Sequence, residues 1–263
     1  VGSEIFTEML QKDHYMEYTA ESLLDKGWEL FEETKEQIGR ITGMIDPDST
    51  PDEVMTRIKA EHPSAEDLLP FYRRELARAR KFIQEKGIVD IPPGEELVIE
   101  ETPVFQRNII PYAAYMPPAP FEEEKQGRFF VTPVDPDSPP EEQAQKLEGH
   151  SKYKVPVTTV HEGYPGHHLQ LVWSNNVPSL VRKLAHSTLF IEGWAFYCEE
   201  LMEQMGFLDD PKIRLARLKD QLWRAARIII DVSLHTGGMT VDEAVDFLVE
   251  KANLERVNAK AEV

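Results

Sequence analysis

The chain has 263 residues, 41% hydrophobic and 29% charged, with a formal net charge of −18 from 29 Lys and Arg against 47 Asp and Glu. That length can bury a sizeable core, while so acidic a balance argues against binding phosphate backbones or anionic membrane surfaces. The one cysteine, Cys198, rules out an internal disulfide and a Cys-rich zinc site, so any metal must be held by His and carboxylates.

The N-terminal stretch VGSEIFTEMLQKDHY lacks the basic-then-apolar pattern of a signal peptide. It also begins without Met, so both a cytoplasmic and an exported origin stay open. No run approaches the roughly 18 apolar residues of a membrane span. A long helix is predicted from Thr19 to about Thr42, with apolar spacing at Leu23, Leu24, Trp28 and Leu30. Thr50-Pro51-Asp52-Glu53 reads as a capping box opening a short helix. Ser64 is expected to cap the next helix, which runs to Gly87 with Pro70 near its start.

Residues 91–140 are rich in proline and aromatics. Two short β-segments are expected there, at about 97–101 and 128–132, pairing as a small sheet. PYAAYMPPAP resists helix because a residue before Pro avoids the α region. It reads either as an extended segment lining a groove, with Tyr112 and Tyr115 facing substrate, or as a surface loop. Helices resume after Pro140, and Val155-Pro156 opens one that carries VTTVHEGYPGHHLQL. Ser187 caps another that Gly206 stops. DPKIRLARLKDQLWRAARIIIDVSLHTGG is one long helix, and Thr240-Val241-Asp242-Glu243 caps the last, to about Lys251. The sum is a mainly α chain with a small β insertion, organised as one domain over 1–263.

The chemistry concentrates at 161–168. His161-Glu162 begins like H-E-x-x-H, in which histidines at i and i+4 share a helix face and reach one ion, with the Glu as general base. Here the i+4 residue is Pro165, and the histidines fall at 167 and 168. Pro165 makes a straight helix cost about 3 kcal/mol, and Gly163 and Gly166 add backbone freedom. A widened turn in the helix would bring His167 beside His161. A nearly regular helix would instead align His161 with His168, about 10.5 Å away along the axis. The first arrangement is favoured, and the other histidine would then support a ligand or meet substrate.

A third ligand is expected from FIEGWAFYCEEL. Glu192 sits among Phe190, Ile191, Trp194 and Phe196, which implies burial, and a buried carboxylate needs a cation or a hydrogen bond. Glu199, seven residues on, would orient a histidine or replace Glu192 as ligand. His235, at the end of the long helix, reads as a hydrogen-bond donor to substrate or as a helix-end His facing the C-terminal dipole.

HEGYPGHHLQ followed by EGWAFYCEEL resembles the DUF885 family of bacterial proteins, with patterns H-E-x-x-P-G-H-H-L-Q and E-G-W-A-x-Y-x-E-x-L. Every fixed position is met, from His161 to Gln170 and from Glu192 to Leu201. Weaker similarity covers YMPPAP, GRFFVTP and RAARIIIDVSLHTGGMTVDEA. The family in turn resembles gluzincin metallopeptidases. The resemblance implies a zincin-like, mostly helical fold and peptide-bond hydrolysis. It implies Zn2+ or another divalent metal at His161, one of His167 or His168, and Glu192, with Glu162 as general base. The expected substrate is a peptide or a small amide; a non-peptide amide or ester, or a non-catalytic helical module, are the alternatives. Family members are about twice this length, so the chain is expected to be their catalytic half, with further site residues beyond Val263.

Overall fold

The computed structural model describes residues 1–123 and 125–263. The chain, read from sequence as one domain, divides by its contacts into two compact units. One comprises Val1–Pro51 with Arg217–Val263, and the other Asp52–Ala216. The chain is mainly α with one small sheet. Among the described residues no helix is long and apolar enough to cross a membrane.

The first unit is helical. It holds α1 (Ser3–Lys12), α2 (Ala20–Ile45), most of α10 (Pro211–Thr236), α11 (Val241–Ala252) and α12 (Arg256–Glu262). Thr19 caps α2 in a reciprocal box with Ser22. α2 then buries Phe31, Ile38 and Ile41 at helical spacing. It approaches α10 closely, since a Cβ on Gly27 would lie 2.9 Å from Cγ2 of Ile228. Trp28, Phe31 and Phe247 form an aromatic cluster with centroids 5.6–5.9 Å apart. The helices at the two chain ends, α1 and α12, lie outside the elements expected from the sequence.

The capping box that starts α11 is formed as expected. Thr240 Oγ1 accepts from the Glu243 N–H, and Glu243 Oε2 accepts from the Thr240 N–H at 2.8 Å. Thr240→Ala removes one half of the box and is expected to lower stability by about 1 kcal/mol. Urea unfolding measures this; an unchanged midpoint would show that the cap contributes nothing.

The second unit places three strands among helices. It holds α3 (Pro51–Ala60), α4 (Leu68–Lys86), β1 (Glu95–Glu101), a 3-10 turn (Val104–Gln106), β2 (Ala113–Met116), β3 (Lys125–Val131), α5 (Pro140–Glu148), α6 (Lys154–Glu162), α7 (His167–Asn176), α8 (Leu180–Leu184) and α9 (Thr188–Gln204). Gly87 ends α4 in the left-handed region, at φ 61°. Ser64 does not cap α4. Its Oγ accepts from the Asp67 N–H and so closes the turn before the helix. The two expected strands are present and run parallel, as β1 and β3. The segment PYAAYM supplies a third, β2, antiparallel to β3 at the edge of the order β1-β3-β2.

Strand alternation puts Glu95, Leu97 and Ile99 on one face with Gly127, Phe129 and Val131, joined by Ala113 and Tyr115. This face carries the core. Ile99, Phe129 and Val131 are buried with Leu68, Tyr72 and Ile83 of α4, Val157 and Val160 of α6, and Cys198 and Met202 of α9. α6 and α9 are therefore held against the sheet by apolar burial, worth roughly 25 cal/mol per Å².

Candidate metal centre

The turn between α6 and α7 sets the site. The sequence suggested one helix with a widened turn; the structure shows two helices broken at Gly163. The break follows from the residues. Pro165 has no N–H, so the ladder cannot continue. The chain leaves α6 after Glu162, passes through a cis Tyr164–Pro165 peptide and re-enters a helix at His167. Gly163 donates to the Thr159 carbonyl at 2.9 Å and Gly166 to that of Val160 at 3.0 Å. Trp194 of α9 fixes the turn from outside, donating its indole N–H to the Pro165 carbonyl at 2.9 Å.

The two extra residues bring His167 back beside His161. Their rings meet edge to face, with centroids 4.6 Å apart. One donor atom each from His161, Glu162 and His167 lie within 4.8 Å of one another. Glu192 of α9 joins them, its carboxylate oxygens 3.7 Å from Nε2 of His161 and 3.6 Å from Nε2 of His167. Donors around a tetrahedral zinc, at about 2.0–2.1 Å from the ion, stand about 3.3 Å apart. Each Nε2 thus stands from Glu192 at near the spacing such an ion requires. The expectation that Glu192 is buried fails: its side chain is 60% exposed, and Phe190 beside it is exposed too. Phe190 faces solvent, while Ile191, Trp194 and Phe196 are half-buried, so the turn straddles the edge of the core.

Glu199 is buried and sits behind His161, its Oε1 2.8 Å from Nδ1. Nδ1–H donating there leaves Nε2 turned to the cluster, the usual way a carboxylate orients a metal-binding imidazole. Burial opposes charge on His161, but Glu192, Glu199 and Glu162 outweigh it and raise its pKa to about 9. Uptake of a cation must therefore displace a proton.

Glu162 is set apart from the other carboxylates by its partner. Its Oε2 accepts the backbone N–H of Tyr115, at 3.1 Å. Burial raises its pKa; His161 and the Tyr115 N–H lower it, Glu192 and Glu199 raise it, and it settles at about 7. A carboxylate titrating near neutral pH suits a general base, and a bound cation would draw that value down.

His168 is turned the other way. It is fully buried, with Nε2 2.6 Å from Glu95 Oε2 and Nδ1 3.1 Å from the Tyr115 hydroxyl. Glu95 also accepts from the Tyr164 hydroxyl at 2.6 Å and from Arg80 at 2.9 Å. Burial pushes the Glu95 carboxyl up, but its bonds from His168, Tyr164 and Arg80 together hold it down at about 2. Burial, with Glu95 nearby, raises the Tyr115 phenol, so it keeps its proton and donates to Nδ1. Nε2 of His168 then carries the proton given to Glu95.

Tyr112 packs on His150 at 5.5 Å and directly over Gly149, with Lys146 above its ring. His235 belongs to the first unit, where its ring lies 5.9 Å from that of Phe6 and Nδ1 donates to the Asp231 carbonyl at 2.9 Å. Glu95, Tyr164, Arg80 and Gly127 escaped the sequence reading. Their partners lie tens of residues away in sequence, and no local spacing marks them.

No curated protein matches the chain. A solved structure described as a "putative lipoprotein of unknown function", from Shewanella oneidensis, superposes with a TM-score of 0.88 at 26% identity, covering 100% of this chain and 48% of that one. A second, described as the "putative lipoprotein from Colwellia psychrerythraea", gives 0.84 at 21% identity, covering 99% and 44%. The chain thus spans about half the length of these relatives. Residues 1–263 match the family described as "Bacterial protein of unknown function (DUF885)", and the chain belongs to that family.

Proposed function

We propose that His161, His167 and Glu192 hold a divalent cation, zinc foremost, and that the site hydrolyses a peptide bond or a related amide. The observation that carries this reading is the convergence of both Nε2 atoms on one carboxylate at 3.6–3.7 Å, with Glu162 alongside. A cation in such a site stabilises charge developing on a carbonyl oxygen and acidifies water. The chain's own residues supply the rest. Glu162, its Oε2 held by the Tyr115 N–H, accepts a proton from water and returns it to the leaving amine. Glu199 keeps His161 in the tautomer that directs Nε2 at the cluster. Zinc is favoured over magnesium or calcium because two imidazoles suit it better than they suit hard cations. The lipoprotein description of the Shewanella relative is consistent with an exported setting for this chemistry.

The test is metal content and its removal. After equilibration with zinc at neutral pH and removal of excess, about one ion per chain is expected. Cleavage of a mixed peptide set should stop on chelation and return with zinc. Because His161 must lose a proton, zinc affinity should fall as the pH is lowered below about 9. A His161→Ala, His167→Ala double variant that keeps the ion with parent affinity would place the metal elsewhere and overturn the reading.

A further inference from the structure

His168 lies next to the candidate ligand His167 in sequence, yet it serves a different structure. It belongs to a network of five buried or half-buried side chains from five elements: Arg80 of α4, Glu95 of β1, Tyr164 of the turn, His168 of α7 and Tyr115 of β2. Glu95 and His168 are at most 1% exposed. The network ends on Tyr115, and Tyr115 is where it meets the candidate catalytic group.

The strand geometry explains how. Thr132 donates its N–H to the Tyr112 carbonyl at 2.8 Å, and Ala113 stands opposite Val131. Antiparallel pairing alternates, so Tyr115, opposite Phe129, points its own N–H away from β3. That N–H goes to Glu162 Oε2. β2 is four residues long and is paired on one side only. Strand pairing thus aims the Tyr115 N–H, and the hydroxyl bond to His168 gives this short edge strand a second anchorage. Gly127, diagonal to Tyr115 on the same face, makes room for that anchorage. A Cβ there would lie 2.7 Å from His168 Nδ1 and 2.8 Å from the Tyr115 hydroxyl oxygen.

We infer that His168 is a positioning residue for Glu162, acting through the Tyr115 hydroxyl and backbone N–H and not through a metal. Glu95, clamped by Arg80 and Tyr164, fixes the His168 ring; the ring fixes the Tyr115 side chain; the strand then presents one N–H to Oε2. The kinetic consequence rests on the hydrolase reading, whereas the structural consequence does not.

Two readouts separate the two. Tyr115→Phe keeps the ring on His168 and removes only the hydroxyl link. It is expected to speed amide exchange at Tyr115 roughly tenfold, the scale of one lost hydrogen bond to a charged network. Exchange at Thr132 and Thr102, whose N–H groups serve the sheet and its margin, should stay unchanged. His168→Leu should act alike, and His168→Asn, which restores an acceptor near the Nδ1 position, should recover much of the effect. In the metal-loaded protein the first two variants should lower kcat with KM and zinc content kept. Parallel acceleration at Tyr115 and Thr132 would show that the network merely stabilises the sheet, and unchanged exchange at Tyr115 would show no link; either overturns the inference. If the parent cleaves nothing, the hydrolase reading fails, and exchange still decides the role of His168.

Discussion

Glu162→Gln is expected to leave the cation site loaded and to lower kcat by about 10²- to 10⁴-fold, the usual contribution of a positioned general base. The substitution is nearly isosteric. The Gln carbonyl can still accept the Tyr115 N–H that Oε2 accepts now. The Nε2 atoms of His161 and His167 keep Glu192, and His161 keeps Glu199 behind it. What disappears is a group able to take a proton near neutral pH, which burial beside Glu192 and Glu199 had prepared. The fold should not suffer, since an amide costs less to bury than a carboxylate. Zinc content, kcat on the best peptide and a thermal melt together make the test. Parent-like turnover with one zinc bound would sink the assignment of Glu162 as base and leave the cation site standing.

The parts legible in the sequence were those written locally. Ser187 and Thr240 cap helices because a hydroxyl three residues upstream of a free N–H is a short-range device. Gly87 and Gly206 end helices at positive φ for the same kind of reason. The mainly α class follows from the sum of such signals. At the site, the count from His161 past Pro165 to His167 was readable as an unusual spacing, and Glu199 as the residue two turns after Glu192. The nature of the turn was not. A widened helical turn and a break into two helices use the same residues, and only the path through Tyr164–Pro165 separates them. Glu192 misled because apolar neighbours normally signal a core, and here Phe190 is exposed. The network through Glu95 was invisible, since its contact with His168 joins a strand to a helix across 73 residues. β2 was hidden by its shortness and by the prolines on either side, which suit an edge strand as well as a loop.

Gly166→Ala should unseat His167, and the reason is space, not backbone freedom. Gly166 has φ −70° and ψ −134°, outside the left-handed region, so φ alone does not require glycine there. A Cβ, however, would lie 1.9 Å from the His161 carbonyl oxygen, 2.4 Å from that of Val160 and 2.6 Å from the His161 carbonyl carbon. These are backbone atoms of α6 and cannot swing aside as a side-chain tip would. Relief must come from opening the turn, which would break the Gly166 N–H bond to Val160 and pull the start of α7 away from α6. His167 is the first residue of α7, so the displacement falls directly on the contact between the two imidazoles. Overpacking of this kind costs about 1–3 kcal/mol and sometimes more; backbone on both sides of the clash puts this case at the upper end. Zinc affinity should fall with it. Gly193, next to Glu192, supplies the control. A Cβ there meets nothing within 4 Å, and the position is helical, so Gly193→Ala should be neutral or stabilising by up to about 1 kcal/mol. Urea unfolding and zinc titration of the two variants side by side give the result. Equal behaviour of the Gly166 and Gly193 variants would show that the α6–α7 turn can yield, and that the meeting of His161 with His167 does not depend on its close packing.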